Sequence, residues 1–558
     1  MYEGVSKSIQ KGEASMRKKV SLVLATCMAL SLTACSSGSE PTATTAAQKA
    51  AATEAAKQEA ATQTAAAEKA EPIKVTIFNN SGGGTGAGSE AGSTEESYEA
   101  VQDYILEQTG VLVEVIKPPA TEASNKLAAM LASGEEIDLW WGNWSDYSAD
   151  GIIQPLNDAL DAWGQDVVDV YNQWDAWGRV TAPDGTIWGI PRYTSFASYY
   201  THVREDWLEL LDMEVPKTFE EFEKYLYAVK ELDPAGNGQT IPFIFRGGSV
   251  DKSLEWALLG GFTDAGRSQW VDENGNVMPK ELQEGYTDFL AVLAKWYKDG
   301  IINKEAFSWD TATIREYIGS GRVAAACTYY TDISQFTPIM QQTYPEANFV
   351  HYVPGMTGPN GQLCQTLNPG SSKQMLISSK CTGEKLEALM KVINWSFASW
   401  DNYQVCTWGL EGVHWEYDTS VVDLETAKRD HVTKNIEGSG YWSDFCLSIG
   451  LPYESQGIIY NADGRQNMHS LYLSTYLDDF DTCKPTIDRN ITFNSQELTD
   501  NIPSLSDINT TIKEETLKFV TGERDLSTYD AFVEELYAIG LDDWIAEYTR
   551  QYNELTGK

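Results

Sequence analysis

Aromatic and polar side chains occur together in several short segments, each at the point where a predicted strand or loop ends. These segments are residues 137–144, 188–193, 199–207, 329–332 and 411–415. A sugar ring has an apolar C–H face and an edge of hydroxyl groups, so an aromatic ring can cover the face while Asp, Glu, Asn or Arg bonds the hydroxyls. The segments therefore indicate carbohydrate binding as a candidate chemistry. For each single ring, packing in the core is the competing interpretation.

The sequence carries none of the common catalytic motifs. H-E-x-x-H, G-x-S-x-G and G-x-x-x-x-G-K-[ST] are all absent, and the five histidines never lie three or four residues apart, which excludes a metal-binding pair on one helix. A glycosidase needs only two carboxylates at a suitable separation in the fold, and 81 acidic residues are present. A surface glycosidase or lyase therefore stays open as an alternative.

A glycine-rich loop follows the first predicted strand. Residues 82–87 fit the pattern G-x-G-x-x-A, which is typical of dinucleotide sites when a helix begins within the loop. Here the next helix is predicted to begin only near Thr94, so the fit is loose. We expect instead a flexible loop that lines a cleft at the end of the strand.

A second loop, at residues 233–239, resembles the front of a calcium-binding loop. Asp233, Asn237 and Gly238 occupy its first, fifth and sixth positions. The third, ninth and twelfth positions hold Ala or Ile, which have no side-chain oxygen. The pattern therefore favours a turn after a helix over a calcium site, and we expect no metal and no other cofactor.

The overall composition is that of a strongly acidic globular protein. The 558 residues suffice for two or more domains with sizeable cores, and 42% apolar with 22% charged residues excludes global disorder. The formal net charge of −40 excludes attraction to nucleic acid through the overall field of the protein. Six cysteines follow Cys35 without a C-x-x-C pair, which excludes zinc-ribbon and thioredoxin-like sites and leaves their pairing open.

The N-terminus has the pattern of a secretory signal. A basic stretch at 16–19 precedes a mostly apolar run at 20–32, which is too short to span a bilayer. The order Leu-Thr-Ala-Cys that ends at Cys35 resembles the lipobox of bacterial lipoproteins, which implies cleavage before Cys35 and a diacylglycerol on its sulfur. We expect residues 1–34 to be a signal peptide, with 1–15 as an N-terminal extension. A plain signal peptide with an incidental cysteine is the alternative.

The segment after Cys35 is predicted to be a tether. Residues 36–71 contain no Leu, Ile, Val, Phe, Trp, Tyr or Met. Such a segment cannot bury apolar area and stays disordered. Residues 35–71 would therefore hold an anchored domain at a distance from the membrane.

From Pro72 onward, strand and helix patterns alternate. The first strands are predicted at 73–78, 111–116 and 137–141, with helices between them. Ser93 with Glu96, and Thr218 with Glu221, have the spacing of capping boxes, and Gly300 is predicted to end a helix with an aromatic stripe. This alternation predicts an α/β fold with a mostly parallel sheet wrapped by helices.

A set of individually weak stretches follows the lipobox in a characteristic order. They are residues 77–79, 126–135 with Asp138, 184–191, 204–208, 295–302, 409–415 and 518–523. In this order they resemble the extracellular solute-binding proteins of family 1, the carbohydrate-type group, in its large lipoprotein branch. The similarity extends over most of residues 72–558.

The resemblance implies a two-lobed, periplasmic-binding-protein-like fold of type II, with the ligand cleft at the hinge. We expect one lobe to comprise residues 72–195 with 330–395, and the other 196–329 with 396–558. The family also implies a lipid-anchored receptor on the extracellular face, without enzymatic activity. It would bind a solute, chiefly an oligosaccharide, by hinge closure and deliver it to the permease subunits of an ABC importer.

By position in the family, a set of loop residues is expected to face the cleft. They are Asn79, Trp144, Tyr193, Arg204, Tyr329, Asp332, Glu411 and Trp415. Trp144, Tyr193 and Trp415 would stack on sugar rings. Asn79 and Arg204 would bond hydroxyls, and the two acidic residues of the set would accept from them. We expect a monomer, and a peptide- or polyanion-binding lipoprotein is the remaining alternative.

Overall fold

The computed structural model describes most of the chain after the predicted tether. The described residues are 71–80, 92–119, 122–172, 177–191, 199–350, 356–365, 374–420, 422–445, 447, 487 and 491–558. Residues from Pro72 to Lys558 form one compact unit. The predicted signal peptide, Cys35 and the tether up to residue 70 lie outside the described residues, so these remain predictions.

Strands and helices alternate through most of the described chain, and helices alone form its end. The strands are β1 (Ile73–Phe78), β2 (Val111–Ile116), β3 (Leu139–Gly142), β4 (Tyr199–Arg204), β5 (Ile241–Phe245), β6 (Trp270–Val271), β7 (Val277–Met278), β8 (Val323–Tyr329), β9 (Phe349–Val350), β10 (Gln374–Ile377), β11 (Trp415–Tyr417) and β12 (Thr433–Asn435). The α-helices are α1 (Glu95–Thr109), α2 (Ala123–Ser133), α3 (Asn157–Trp163), α4 (Gln165–Tyr171), α5 (Glu205–Leu210), α6 (Phe219–Leu232), α7 (Ser253–Leu258), α8 (Tyr286–Asp299), α9 (Thr311–Gly319), α10 (Tyr330–Gln341), α11 (Glu384–Phe397), α12 (Trp400–Trp408), α13 (Leu424–Arg429), α14 (Ser495–Asn501), α15 (Leu505–Thr521), α16 (Tyr529–Ala538) and α17 (Leu541–Thr556).

The first lobe is built on a sheet with the strand order β10-β3-β1-β2. β1 is parallel to β2 and β3, and β10 is antiparallel to β3. Successive side chains of a strand point to opposite faces. Accordingly, Val75 and Ile77 of β1 pack with α1 and α11 on one side, while Phe78 packs with Leu127 of α2 on the other. Cover on both faces explains why β1 is largely apolar.

The second lobe is built on a mixed sheet with the strand order β5-β8-β4-β9. β5 and β8 are parallel, but β4 is antiparallel to β8 and β9 is antiparallel to β4. Ala324, Ala325 and Ala326 of the central strand are fully buried. Two of the three strand pairs in the first sheet are therefore parallel. In the second sheet, β4 runs in the opposite direction, so its first residue lies beside the carboxyl end of β8.

Two helix boundaries follow the sequence signals closely. Thr218 and Glu221 form the predicted capping box at α6, with both backbone-to-side-chain bonds at 3.2 Å. The aromatic stripe of α8 is buried, and Gly300 ends this helix in the left-handed conformation. Local side-chain chemistry thus sets where these two helices begin or end.

The start of α1 differs by one residue from the expectation. Thr94, rather than Ser93, is the N-cap, and its hydroxyl accepts from the backbone N–H of Ser97 at 3.3 Å. The Ser93 hydroxyl instead accepts from the backbone N–H of Trp442 at 2.8 Å. The Ser93 side chain therefore makes a long-range hydrogen bond instead of capping the helix, as its local sequence predicted.

The two hydrophobic cores divide the chain at other points than expected. Residues 330–365 pack into the second-lobe core, for example through Ile333 and Phe349. Residues 396–447 pack into the first-lobe core, for example through Tyr403. Both segments were expected in the opposite lobe. The reason is that α10 directly follows β8 and stays with its sheet, while α12 continues from α11 in the first lobe. The C-terminal helices α14–α17 pack with the second-lobe core.

In the described part of the chain, no helix is both long enough and apolar enough to cross a membrane.

Candidate functional site

The chain crosses between the lobes at the sheet edges where the parallel strands end. Gln374 begins β10 beside the carboxyl end of β3, and Tyr199 begins β4 beside Tyr329, the carboxyl end of β8. The chain passes from the first sheet to the second between Ile190, which pairs with Met375, and Tyr199, and it returns between Gln365 and Gln374. We call these two passages the crossings; residues 192–198 and 366–373 lie outside the described residues. We name the residues that follow β1, β2 and β3 the first-lobe edge. Those that follow β5 and β8, together with the start of β4, are the second-lobe edge.

A third link between the lobes comes from the C-terminal helices. The side-chain amide of Asn494 donates to the carbonyl oxygen of Ser145 at 2.8 Å. The backbone N–H and hydroxyl of Ser495 both donate to the Asp146 carboxylate at 2.8 Å. Ser145 and Asp146 lie directly after β3, so α14 reaches the first-lobe edge. Ligands of α/β proteins bind in the crevice outside the carboxyl ends of the strands, and Ser145, Tyr199 and Gln374 all lie beside such ends.

Two asparagines after β1 fix the backbone of the first-lobe edge. Asn79 is buried, and its amide donates to the carbonyl oxygens of Ser443 and Asp444 at 3.1 and 2.8 Å. Asn80 exchanges two hydrogen bonds with the backbone of Trp141, at 2.7 and 2.9 Å. The amide of Asn79, which was expected to bond sugar hydroxyls, thus holds residues 443–444 against β1.

A buried ion pair reinforces the same place. Lys117 follows β2 and lies 3.0 Å from the carboxylate of Asp444, with both side chains almost fully buried. Lys117 also donates to the carbonyl oxygen of Trp442, and Asp444 accepts from the backbone N–H of Ser93 at 2.9 Å. Such added hydrogen bonds are what a buried pair needs to offset its desolvation. The pair therefore positions residues 442–444 at the first-lobe edge.

Trp144 lies at the first-lobe edge, but most of its ring is covered. It follows β3, is 8% exposed, and donates from Nε1 to the carbonyl oxygen of Arg179 at 2.8 Å. The ring lies parallel to that of Trp188, with centroids 6.5 Å apart. A cavity of about 230 Å³ borders Trp144 on the side of α14 and α17. Its position agrees with a place in the cleft, while its contacts are those of a packed side chain.

At the second-lobe edge, one buried carboxylate holds two arginines. Asp332, in the first turn of α10, accepts from Nε and Nη2 of Arg315 at 3.0 and 2.9 Å, and from Nη1 of Arg246 at 3.3 Å. The hydroxyl of Thr328 also donates to it. The side chains of Arg246 and Arg315 are 22% and 24% exposed, whereas Asp332 is fully buried. Asp332 therefore positions two donor groups at this edge instead of accepting from a solute itself.

An aromatic pair lies at the second-lobe edge beside the crossings. Trp256 of α7 packs against Tyr199 with ring centroids 5.8 Å apart, and the guanidinium carbon of Arg267 lies 4.1 Å from the Trp256 ring centroid. Gln365, at the other crossing, donates to the carbonyl oxygen of Tyr199. Burial raises the pKa of Tyr199, although the nearby Arg246 lowers it, so the phenol stays protonated at neutral pH.

Arg204 lies at the opposite edge of the second sheet, which corrects the expectation that it faces the cleft. It ends β4 and pairs with Phe349, whereas Tyr199 begins β4 beside Tyr329. Arg204 is 2% exposed and binds the carboxylate of Asp206 through Nε and Nη2, both at 2.7 Å. Its Nη1 donates to the carbonyl oxygen of Gly321 at 2.8 Å. Because β4 runs antiparallel to β8, only the start of β4 shares the second-lobe edge.

The other predicted residues fall in different places. Trp415 is buried in the first-lobe core, packs edge-to-face on Trp400 and donates from Nε1 to the carbonyl oxygen of Gly409 at 2.8 Å. It is therefore a core side chain of the β11–β12 hairpin and does not offer a ring for stacking. Glu411 is exposed in the turn before β11. Tyr193 lies outside the described residues, in the connection 192–198.

The loop at residues 233–239 is a turn held by Asp233. Its carboxylate accepts from the backbone N–H groups of Gly238 and Thr240 at 2.6 and 3.1 Å, and from the Thr240 hydroxyl at 2.7 Å. These bonds lower the pKa of Asp233, the Thr240 hydroxyl bond being the largest cause. In the described residues, no group of three or more His, Cys, Asp or Glu side chains is arranged to hold a metal.

Sequence reasoning missed Arg246, Arg315 and Trp256. Arg246 directly follows the apolar strand β5, and a basic residue in that place is a signal that could have been used. Arg315 lies 17 residues before Asp332 on a different helix, and Trp256 lies within α7. Their proximity to the edge depends on the packing of α7 and α9, for which the sequence gives no local signal.

Solved structures share the whole two-lobed architecture. One is the substrate-binding protein FusA of S. pneumoniae with kestose, which is 20% identical, with a TM-score of 0.59 and coverage of 87% of this chain and 99% of that one. Another is the alginate-binding protein AlgQ2 without calcium ion, which is 19% identical, with a TM-score of 0.59 and coverage of 87% and 98%. At these identities the likeness shows the fold alone, and it confirms the predicted two-lobed α/β architecture.

Curated relatives match by sequence. The fructooligosaccharide ABC transporter substrate-binding protein FusA of Streptococcus pneumoniae serotype 4 (strain ATCC BAA-334 / TIGR4) is 23% identical over 443 residues, which cover 75% of this chain and 78% of the relative. The lipoprotein LipO of Bacillus subtilis (strain 168) is 27% identical over 278 residues, which cover 48% of this chain and 53% of the relative.

The family model for bacterial extracellular solute-binding proteins matches residues 96–404. This match contains β2 to β10, and hence the second-lobe edge and the part of the first-lobe edge that follows β2 and β3. It also covers more than half of the 558 residues. The chain therefore belongs to the bacterial extracellular solute-binding proteins, a family of binding proteins and not of enzymes.

Proposed function

We propose that this protein is the lipid-anchored receptor of an ABC importer and that it binds an oligosaccharide between its two lobes. The observation that carries the proposal is that the carboxyl ends of the parallel strands of both sheets lie where the chain passes from one sheet to the other, between Ile190 and Tyr199 and between Gln365 and Gln374. A solute in the crevice between these edges contacts both lobes. Contacts to both lobes stabilise the closed arrangement over the open one, so binding and hinge closure are coupled.

The groups at the second-lobe edge suit a carbohydrate. Arg246 and Arg315 present partly exposed guanidinium groups held by a buried carboxylate, and such groups donate to ring and hydroxyl oxygens. Trp256 and Tyr199 add aromatic surface beside the crossings. The relatives also support this solute class. FusA is named for fructooligosaccharide, and YtcQ of Bacillus subtilis (strain 168) for polygalacturonan and rhamnogalacturonan.

The N-terminal segments supply the attachment in this proposal. Residues 1–34 direct export, Cys35 carries the lipid, and residues 36–71 let the folded unit reach the permease subunits of the importer. The protein acts as a monomer on the extracellular face of the membrane and releases its solute unchanged.

The proposal is tested by thermal unfolding of the purified protein with neutral oligosaccharides, uronate oligosaccharides and peptides. A bound solute at 100 times its dissociation constant stabilises the protein by about 2.7 kcal/mol. We expect a shift of the unfolding temperature with one series of saccharides, and recovery of that saccharide intact by chromatography. A shift with peptides alone, or hydrolysis of the saccharide, contradicts the proposal.

The site is tested with the variant Trp256→Ala. We expect the affinity for the saccharide to fall by about fivefold, since the stacking of a ring on an aromatic side chain contributes about 1 kcal/mol. Tyr537→Ala, which removes an exposed aromatic side chain of α16, is the matched control and should leave the affinity unchanged. Equal affinities for the wild type and Trp256→Ala would remove Trp256 from the binding site.

A further inference from the structure

A cavity of about 340 Å³ lies within the second lobe. Its walls come from the segment around the β6–β7 hairpin on one side and from α15 and α17 on the other. The lining residues used below are Asp251, Arg267, Lys280, Asn509, Lys513 and Trp544. Among the described residues that line it, none belongs to the first lobe. The volume falls in the range of small-molecule sites in proteins.

One wall of the cavity is backed by a buried ionic network. Glu255 is fully buried, accepts from the hydroxyl of Tyr286 at 3.0 Å and lies 3.4 Å from the ammonium group of Lys280. Lys280 also binds Glu281 at 2.6 Å. Burial raises the pKa of Glu255 and lowers that of Arg267, which lies 3.8 Å from it. Charged groups are therefore held at the edge of the cavity at a considerable desolvation cost.

Hydrogen-bonding capacity in this wall is left unused within the protein. Asp251 Oδ1 is a buried atom that makes no hydrogen bond to any described residue. Glu255 Oε2 and Arg267 Nε, by contrast, lie 3.8 Å apart as an ion pair without a hydrogen bond, and Lys280 joins this pair at 3.4 Å. A buried polar atom without a partner destabilises the fold by about 1–3 kcal/mol. The unpartnered Asp251 oxygen, on a residue that lines the cavity, together with an ion pair that makes no hydrogen bond, indicates that this wall can bond a polar occupant.

Helix α17 gives the opposite wall an aromatic part. Trp544 and Tyr548 of α17 stack on each other with centroids 3.9 Å apart, and both line the cavity, whereas α15 adds the polar Lys513 and Thr516. Tyr286 contributes a third ring. A cavity that combines aromatic rings with charged and hydrogen-bonding side chains matches a molecule that has a hydroxyl edge and an apolar C–H face.

The charges around the cavity select against ions. Three carboxylates, Asp251, Glu255 and Glu281, face three cations, Arg267, Lys280 and Lys513. An anion would approach carboxylates and a cation would approach guanidinium and ammonium groups, whereas hydroxyls both donate and accept. We propose that this cavity is a second binding site, separate from the cleft, for a neutral polyhydroxylated molecule of one or two sugar rings.

The proposed site is connected to the contact between the lobes through helix α17. Trp544 and Gln551 lie on the same helix, α17. The side chain of Gln551 accepts from the backbone N–H of Asn494 at 2.7 Å, and the side chain of Asn494 bonds Ser145 of the first lobe. A sugar held against α17 therefore stabilises the helices that contact both lobes.

The test follows Trp544 directly by fluorine NMR of the protein labelled with 5-fluorotryptophan. Trp544→Phe assigns its resonance. Glucose, fructose, maltose and sucrose are titrated to about 10 mM, which covers dissociation constants up to the millimolar range. Glucuronate and glucosamine are the charged comparisons. We expect a saturable shift with at least one neutral sugar and at least tenfold weaker binding of both charged ones.

Two variants at the mouth and one in the cleft separate the two sites. Asn509→Tyr and Lys513→Glu change exposed residues of α15, so the fold should persist, and thermal unfolding verifies this. Both should abolish or weaken the shift at least tenfold, while Arg315→Gln at the second-lobe edge should leave it intact. Loss of the shift in Arg315→Gln alone would assign it to the cleft. Absence of any saturable shift, or tighter binding of a charged sugar, would equally overturn the proposal.

Discussion

At the scale of single residues, strand direction decides which side chains reach the cleft. Arg204 and Arg246 each lie at the carboxyl end of a strand of the second sheet. β5 is parallel to β8 and β4 is antiparallel to it, so Arg246 reaches the second-lobe edge and Arg204 lies at the far one. The six residues of β4 place these edges about 17 Å apart, at roughly 3.4 Å per residue.

The two arginines should therefore respond differently to substitution. Arg204→Ala removes two bonds to Asp206, one to the Gly321 carbonyl and the contact with Trp207, 4.3 Å from the guanidinium carbon. We expect urea unfolding to show a loss of about 3 kcal/mol, because a buried charge pair is broken from one side. The saccharide affinity of the folded variant should equal that of the wild type.

Arg246→Gln is the comparison variant. It should weaken saccharide binding in a calorimetric titration and cost less stability, because the side chain is partly exposed. The assignment of edges would be refuted if Arg204→Ala, while folded, lost affinity and Arg246→Gln kept it.

Asn79, Trp144 and Asp332 were expected in the cleft by their position in the family. Each follows a strand and lies at a sheet edge, and contact of these residues with a solute stays a prediction. Their roles were harder to foresee, since the oxygens of Asp332 are satisfied by arginines from other elements. Trp415 was expected in the cleft but is a core residue, because composition alone cannot distinguish a ring that packs from a ring that binds.

At the scale of elements, local chemistry predicted helix ends better than strand pairing. The capping box of α6 and the glycine after α8 depend on neighbours within a few residues, and both were predicted. The mixed order of the second sheet depends on pairing between segments more than 100 residues apart, and no local signal encodes it. The same reason explains the exchange of residues 330–365 and 396–447 between the expected lobes.

Helix α17 carries an ion-pair network, and we expect this network to make the free energy of unfolding depend on pH in the acid range. Arg550 binds Glu547 at 2.6 and 2.8 Å, and it also binds Glu554 and Glu497, the last of which lies on α14. The hydrogen bonds from Arg550 lower the pKa of Glu547 to about 2 from its usual 4.5. A lowered pKa stabilises the fold above pH 4.5, and this contribution is lost as the pH falls toward 2.

Arg550→Gln should therefore be less stable than the wild type at neutral pH, and the difference should shrink as the pH is lowered through this window. Urea unfolding at a series of pH values measures it. Lys391→Gln, which breaks an exposed pair on α11, is the control and should cost below about 0.5 kcal/mol at every pH. If the difference in the free energy of unfolding between the wild type and Arg550→Gln stayed constant with pH, the ion pairs of Arg550 would not be its cause.

At the scale of the whole molecule, the sequence distinguishes the segment predicted to attach the protein from the segment that folds. The compact unit begins at Pro72, the residue at which the composition changes from an apolar-free tether to a strand. Composition sufficed for this boundary because burial of apolar area is a property of whole segments. The division into lobes was harder to predict from the sequence, because each lobe is assembled from separate stretches of the chain.

The proposed anchor makes a prediction of its own. In cells that process lipoproteins, Cys35→Ala should move the protein from the membrane fraction to the medium, because the sulfur that carries the lipid is removed. Metabolic labelling with palmitate should mark the wild type and not the variant. Cys27→Ala, within the predicted signal peptide, is the matched control. A variant at Cys35 that remains in the membrane fraction would show that another element holds the protein there.

The contacts of residues 443 and 444 with Asn79 and Lys117 have a consequence for biogenesis. They close the first lobe between positions more than 300 residues apart in the chain. During export, the sheet edge after β1 and β2 cannot be completed until residue 444 has emerged on the far side of the membrane. The second-lobe strands β4, β5, β8 and β9, which all precede that residue, can pair first. We therefore expect the first-lobe edge to be completed late in folding, because contacts of long sequence separation form slowly.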